Sequence, residues 1–298
     1  VIGGSGQVGS ALCRAAMAAG HEVVATAFAN PSPGQSLLDI ADVAAVRTFV
    51  LDARADWVFC PGGMTNVEAC EERPDEARRV NVEGPLAAAQ ASIEAGCGWF
   101  CAFSSEYVFD GANGPYAEEN PTNPLSVYGQ TKLEMERSLL ALPFPILAVR
   151  TTVVYGHEPQ GKNFVCQLLR AAREGRTLPA PADQRSSPTY NEDLASALLE
   201  LAARRATGLL HVAGPEVLAR SDFARLACEV FGLPLKTFRP VATAELHQKA
   251  RRPLRAGLKV ERALGMLERT RLRPPREGLS AMRAALERES PCGPIKAR

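Results

Sequence analysis

The sequence predicts an α/β protein built on a doubly wound parallel sheet with a smaller C-terminal lobe, and three observations predict it. A glycine-rich turn, Gly3-Gly4-Ser5-Gly6-Gln7-Val8-Gly9, stands between the apolar pair Val1-Ile2 and the helical run Ser10 to Ala19. Short apolar segments then alternate with helical ones as far as Gly156, the rhythm of βαβ units. Beyond Gly156 the alternation gives way to polar, Pro-broken segments. This sets the expected division: 1–156 is the sheet domain, to which 190–213 return, and 157–189 with 214–298 form the smaller lobe.

The order strand, glycine turn, helix gives the first domain a chemical meaning. Glycines 3, 6 and 9 fit G-x-x-G-x-x-G, and 4, 6 and 9 fit G-x-G-x-x-G. Both patterns allow a tight turn, close backbone approach to a pyrophosphate and a helix N-terminus whose free N–H groups attract the anion. Glycine turns also arise for steric reasons alone. His21 to Phe28 reads as the second strand, and its end, Ala27-Phe28-Ala29-Asn30, carries neither the acidic residue that marks NAD nor the arginine that marks NADP, so NADPH and NADH both remain open. Leu37 to Ile40 is a short strand ending near Asp39. That carboxylate either meets an adenine edge or caps a helix over 41–51. Trp57 to Cys60 runs out into Pro61-Gly62-Gly63-Met64, which suits either a cofactor ribose or an ordinary loop.

Pro74 to Ala95 reads as one long amphipathic helix with Asn81 inside it, and Trp99 to Phe103 as the strand that delivers Ser105. From Phe109 to Pro124 the composition turns to Gly, Pro and Asn, a surface excursion before the next helix. Ile146 to Tyr155 follows as a strand. In the lobe, Asn163 to Glu174 reads as a helix, 178–181 as a break and 183–189 as a polar loop, and Ser221 to Phe231 belongs to the lobe as well. Asn191 to Arg204 and Leu209 to Val212 return a helix and a strand to the sheet. The Pro- and Arg-rich stretch 251–278 belongs to the lobe, and Glu289 to Arg298 is expected to fray.

Composition removes several function classes. Lys and Arg (34) are matched by Asp and Glu (33) and dispersed, so no nucleic-acid footprint is expected. No apolar run approaches the ~20 residues of a membrane helix, and hydrophobic content of 46% describes a chain with a sizeable core. The cysteines form no C-x-x-C pair and read as reduced core residues of a cytoplasmic protein. The four histidines make no metal-ligand spacing, and no metal is expected. The chain opens on Val1 without an initiator Met, so a preceding segment is expected.

The chemistry is placed between Ser104 and Lys132. Tyr128 and Lys132 are four apart, one turn from each other on a helix face. A cation there favours tyrosinate and is expected to lower a phenol pKa that starts near ~10, making Tyr128 a proton donor or acceptor near neutrality. Ser105, at the end of a buried strand, adds a hydroxyl.

Read together, Ser-Ser-Glu-Tyr-Val-Phe-Asp-Gly at 104–111, Tyr-Gly-Gln-Thr-Lys at 128–132, Arg150-Thr151 through Tyr155-Gly156, Asn163-Phe164, Asp183-Gln184 with Pro188-Thr189, and Arg252-Pro253 resemble the extended short-chain dehydrogenase/reductase superfamily. Within it the likeness is to dTDP-4-dehydrorhamnose reductases and to the beta regulatory subunit of methionine adenosyltransferase, across nearly the whole chain. The resemblance implies a Rossmann domain using NADPH or NADH, a nucleotide-sugar substrate and, as one arrangement, a homodimer. It implies that Tyr128 is the general acid, Lys132 its partner and a ribose contact, and Ser105 the group that polarises the substrate carbonyl. Gly3, Gly6, Gln7, Val8 and Gly9 would surround the cofactor phosphates, Asp39 and Ile40 the adenine, and Pro61, Gly62 and Gly63 the ribose. Substrate contacts would come from Ser105, Glu106, Val153, Asn163, Gln184 and Arg252. Two positions depart from the family: Val153 stands where the reductases place a Trp, and Arg185-Ser186 where an aromatic-Gly pair is usual.

Overall fold

The computed structural model describes residues 1–158 and 160–289. Four parallel strands make its centre, in the order Gly208–His211, Ile146–Thr151, Trp99–Ser105, Trp57–Cys60. A second parallel pair, Thr26–Ala27 with Ser36–Leu37, continues the same surface. Val1 and Ile2 stitch the two together. The Ile2 N–H donates to Phe59 O (2.8 Å) and Gly62 N–H to Ile2 O (2.9 Å) on one side, while Thr26 N–H donates to Val1 O (3.0 Å) on the other. The chain therefore runs outward in both directions from residues 1–2, and the crevice beyond the carboxyl ends of these strands is the place where such sheets bind ligands.

Helices cover both faces. Gln7–Ala18 and Asn191–Ala203 bury Leu12, Leu194, Leu198 and Leu201 against Trp99, Cys101, Leu147 and Val149 on one side. Val43–Ala53, Gly84–Glu94 and Val127–Leu140 bury Val46, Ala88, Met135 and Leu139 against Val58, Phe100 and Ala102 on the other. Residues pointing to opposite faces of one strand, such as Phe100 and Cys101, are both fully buried, as a parallel sheet covered on two sides requires. A third core lies in the lobe, around Leu168, Phe223, Phe231 and Met282, and Tyr155 and Tyr190 pack within it although sequence division places both in the sheet domain.

Five expectations are corrected. The strand expected over 21–28 is paired only at Thr26–Ala27, because its neighbour Ser36–Leu37 offers two residues to pair with. Ile146 to Tyr155 divides: Val153 adopts φ +43°, the backbone leaves the sheet, and Val154–Tyr155 pairs instead with Thr189–Tyr190. The break at 178–181 is a strand, Leu178–Pro181, parallel to Phe238–Val241, and within the polar loop Arg185–Ser186 pairs with Leu218–Ala219. The long helix is interrupted as well: Pro74–Arg78 and Gly84–Glu94 are α-helical, and Arg79–Glu83 between them forms a π-turn. The expected fray from Glu289 onward falls, beyond Glu289 itself, outside the described residues.

A buried ion pair fastens the helix Val127–Leu140 to the sheet. Arg150 donates from Nε to Glu136 Oε1 (2.8 Å) and from Nη2 to Oε2 (2.7 Å), and its guanidinium lies 4.9 Å from the centroid of the Phe109 ring. Glu136 sits one turn after Lys132, so the pair fixes the helix that carries both site residues. Among the described residues no helix is long and apolar enough to cross a membrane.

Candidate active site

A cavity of about 610 Å³ opens at the carboxyl ends of the strands, between sheet and lobe. Gly3, Gly6, Gln7, Val8 and Gly9 line it at one end, Pro61, Gly62 and Gly63 beside them, and Ser105, Glu106, Tyr128, Lys132, Val153 and Asn163 complete its wall. The other sequence-predicted positions lie elsewhere. The Asp39 carboxylate accepts from its own loop at Ala41 N–H (2.9 Å), and the cap of the following helix is Asp42, which accepts from Ala45 N–H (3.0 Å). Ile40 is buried behind Gly62 and Gly84. Gln184 donates to Thr243 Oγ1 (3.0 Å), and Arg252 donates to Glu68 Oε1 (2.6 Å) and Ala250 O (2.7 Å). A larger hollow of about 1030 Å³ between the helices Gln7–Ala18 and Asn191–Ala203 contains none of the site residues.

The glycine turn is shaped by contacts that no side chain would survive. A Cβ on Gly9 would lie 2.1 Å from Gly3 O, and one on Gly3, whose φ is +95°, would lie 2.8 Å from Gly62 Cα. The helix that follows is capped by Gly6 with no side-chain acceptor, leaving its first N–H groups to an outside partner. Among the described residues Gln7 Nε2, buried here, has no hydrogen-bond partner. An unclaimed amide donor beside uncapped N–H groups, in a cradle floored by glycine, fits the pyrophosphate of a dinucleotide. The end of the Thr26–Ala27 strand brings Phe28, Ala29 and Asn30 to the same cavity, with no charged group among them.

Tyr128 is the second residue of its helix, whose cap Ser126 accepts from Gly129 N–H (3.2 Å). Gly129 is needed because a Cβ there would lie 2.2 Å from Tyr107 O. The Tyr107 ring meets Tyr128 edge-on at 5.5 Å. Burial pushes the Tyr128 phenol above its ordinary value, a shift that the hydrogen bond with Ser105 partly offsets. This reverses the expected direction: desolvation outweighs the Ser105 hydrogen bond and holds the phenol protonated. Lys132, four per cent exposed, donates from Nζ to Phe103 O (2.9 Å) and lies 5.9 Å from the Tyr128 ring centroid. Burial lowers its ammonium to about 8, against raising contributions from Cys60, Cys70 and Glu136.

Asn81 supports this group from the π-turn. Its Oδ1 accepts from Met64 N–H (2.8 Å), and its Nδ2 donates to Met64 O (3.1 Å) and to Thr131 Oγ1 (3.2 Å). Thr131 in turn donates to Tyr128 O (2.9 Å). Sequence reading notes Asn81 without giving it a role; it is an amide flanked by Val80 and Val82 in an amphipathic helical stretch, and in the structure it is fully buried. Glu106 accepts from Ser186 Oγ (2.7 Å), and burial raises its carboxyl to about 7, opposed by hydrogen bonds from Thr152 and Ser186 and by the charge of Arg220. Asn163 spends its amide on structure, capping Phe164–Arg173 by accepting from Cys166 N–H (3.1 Å) and donating to Gly156 O (2.8 Å). Val153 keeps its left-handed backbone at the cavity wall, a strain of about 1–3 kcal/mol for a β-branched residue. Arg220, also in the wall, was not anticipated.

Comparison with known proteins agrees with this geometry. The family described as "RmlD substrate binding domain" matches residues 1–288. The chain is 35% identical over 300 residues to a dTDP-4-dehydrorhamnose reductase of Mycolicibacterium smegmatis, covering 99% of this chain and 88% of that one. It is 28% identical over 284 residues to subunit beta of methionine adenosyltransferase 2 from Bos taurus, covering 92% and 84%. The crystal structure of a dTDP-4-dehydrorhamnose reductase from Bacillus anthracis in complex with NADP superposes with a TM-score of 0.86 at 26% identity, covering 95% of this chain and 97% of that one.

Proposed function

Because the chain belongs to the RmlD substrate binding domain family, we propose that it is an NAD(P)H-dependent reductase of the C4 ketone of a nucleotide-linked deoxysugar, converting dTDP-4-dehydro-6-deoxy-L-mannose to dTDP-L-rhamnose. The observation that carries the reading is the convergence of Tyr128, Ser105 and Lys132 on the cavity whose other end is the glycine cradle. A nicotinamide dinucleotide held in that cradle supplies the hydride. Gln7 and Val8 would hold its phosphates through their backbone N–H groups and the Gln7 amide, while the Gly6 N–H closes the turn onto Gly3 O (3.2 Å). Tyr128, kept neutral by burial, donates its proton to the oxygen on which charge develops, and Ser105 steadies that oxygen with a hydrogen bond. Lys132, anchored on Phe103 O, places a cation one helical turn away and offers its remaining N–H donors to a ribose. With no charged group at Phe28, Ala29 and Asn30, the pocket discriminates weakly between NADH and NADPH. The reading carries with it a cytoplasmic enzyme, with a homodimer as one arrangement.

The test is nicotinamide absorbance with enzymatically generated substrate and NADPH or NADH in parallel. Consumption that depends on the sugar supports the reading. Tyr128→Phe should then lower turnover about 10²–10⁴-fold while cofactor still binds. A non-catalytic, dinucleotide-binding regulatory subunit is the second reading, favoured by the similarity to the methionine adenosyltransferase subunit. Cofactor binding without consumption on any keto-sugar, together with copurification of a synthetase, would select it.

A further inference from the structure

Among the described residues, the Arg220 guanidinium in the cavity wall has no hydrogen-bond or ion-pair partner. Arg220 begins the helix Arg220–Phe231, and its backbone is fixed where Arg220 N–H donates to Gln184 O (2.9 Å). Its guanidinium lies 5.1 Å from the centroid of the Phe164 ring, which sets the plane of the fork. Among the described residues no hydrogen bond or ion pair joins that guanidinium to a protein group. The nearest acid in electrostatic reach, Glu106, is engaged by Ser186 instead. A guanidinium has five donors and does not lose its charge; in this desolvated wall it meets only the field of Glu106 and the face of Phe164, and its N–H donors are left without acceptors. An anion entering the cavity relieves this. Lys162, whose exposed side chain lines the same cavity, adds a second cation.

We propose that Arg220, assisted by Lys162, is the anchor for the diphosphate of a nucleoside-diphosphate-linked substrate. The proposal rests on the reductase reading for the identity of that substrate. Two diphosphates could meet a guanidinium here, the substrate's and the cofactor's, and position favours the first. The cofactor's is provided for by Gly6, Gln7 and the uncapped helix. Arg220 stands instead among Glu106, Tyr107 and Phe164, and Phe164 opens a helix packed into the lobe core. Bidentate N–H donation to two phosphate oxygens is the geometry an arginine fork offers and a lysine does not.

The experiment compares Arg220→Gln and Arg220→Lys with the unaltered protein, titrating dTDP, thymidine and NADPH by calorimetry and measuring KM for the nucleotide sugar. Affinity for dTDP should fall roughly 10- to 100-fold in Arg220→Gln, the worth of hydrogen bonds to a charged group. Arg220→Lys should recover only part of it, thymidine should bind both proteins alike, and unchanged NADPH affinity certifies that the variants fold. Equal dTDP affinity in Arg220→Gln and the unaltered protein overturns the proposal, as does a loss of NADPH affinity matching that of dTDP, which would assign Arg220 to the cofactor. If the unaltered protein turns over no nucleotide sugar, inorganic pyrophosphate becomes the probe. Binding that Arg220→Gln abolishes upholds the anion anchor and places the failure on the substrate reading; pyrophosphate binding indifferent to Arg220 overturns the anchor itself.

Discussion

Replacing Glu106 by Gln turns a buried ionisable group into a permanent copy of its protonated form, and pH then separates the two proteins. The side chain is three per cent exposed, and its carboxyl is raised from 4.5 to about 7 by burial, despite opposing hydrogen bonds from Thr152 and Ser186. The folded state therefore binds this proton more tightly than the unfolded chain does. Below about pH 4.5 both states hold the proton and the site costs nothing. As pH rises through the window from 4.5 to about 7, the unfolded chain ionises freely while the folded one resists, and stability drains away until the folded carboxyl ionises as well. At ~1.4 kcal/mol per pH unit the interval amounts to about 3 kcal/mol. The amide can still accept the Ser186 hydrogen bond, so Glu106→Gln should match the unaltered protein near pH 4.5 and exceed it by about 3 kcal/mol at pH 8. Urea denaturation of both proteins at half-unit pH steps measures the gap. A gap that stays flat from pH 4.5 to 8 refutes the reasoning, because it would place the carboxyl in a solvated environment.

Two further outcomes follow from the geometry. Gly9→Ala puts a methyl group 2.1 Å from Gly3 O, where backbone meets backbone and neither can give way; cofactor affinity, read from NADPH fluorescence, should fall by at least about tenfold. Arg150→Ala strands the Glu136 carboxylate in the interior and should destabilise the fold by about 3–5 kcal/mol, whereas the double change Arg150→Met with Glu136→Leu should recover most of that loss in the same urea assay.

What the sequence made legible is what depends on near neighbours along the chain. The glycine turn, the strand ending at Ser105 and the helical spacing of Tyr128 and Lys132 are local patterns, and each residue comes to the cavity on the element expected to carry it. Gln184 and Arg252 were read from motif alone and are engaged by Thr243 and Glu68, partners 59 and 184 positions away that no spacing rule connects. Arg220 escaped notice for the complementary reason: in the sequence it is one arginine among many, and its meaning lies in a guanidinium that, among the described residues, has no hydrogen-bond or ion-pair partner. The direction of the Tyr128 shift was misjudged because the pattern Tyr-x-x-x-Lys contains the cation and not the desolvation. Strand lengths at 21–28 and 146–155 were overestimated because an apolar run records burial, while the length of a ladder is set by its neighbour and by the left-handed turn at Val153.

The π-turn at Arg79–Glu83 makes a single helix answer to two masters. A wider turn accommodates one residue more than an α-turn does, so the stretch after it is rotated relative to the stretch before. Ala87, Ala88 and Ala91 thereby meet the sheet core while Asn81 keeps its grip on Met64 and Thr131. Ironing the turn flat would force a choice between the two contacts. Whatever loosens the alanine face thus reaches the backbone beneath Tyr128 through Asn81 and Thr131.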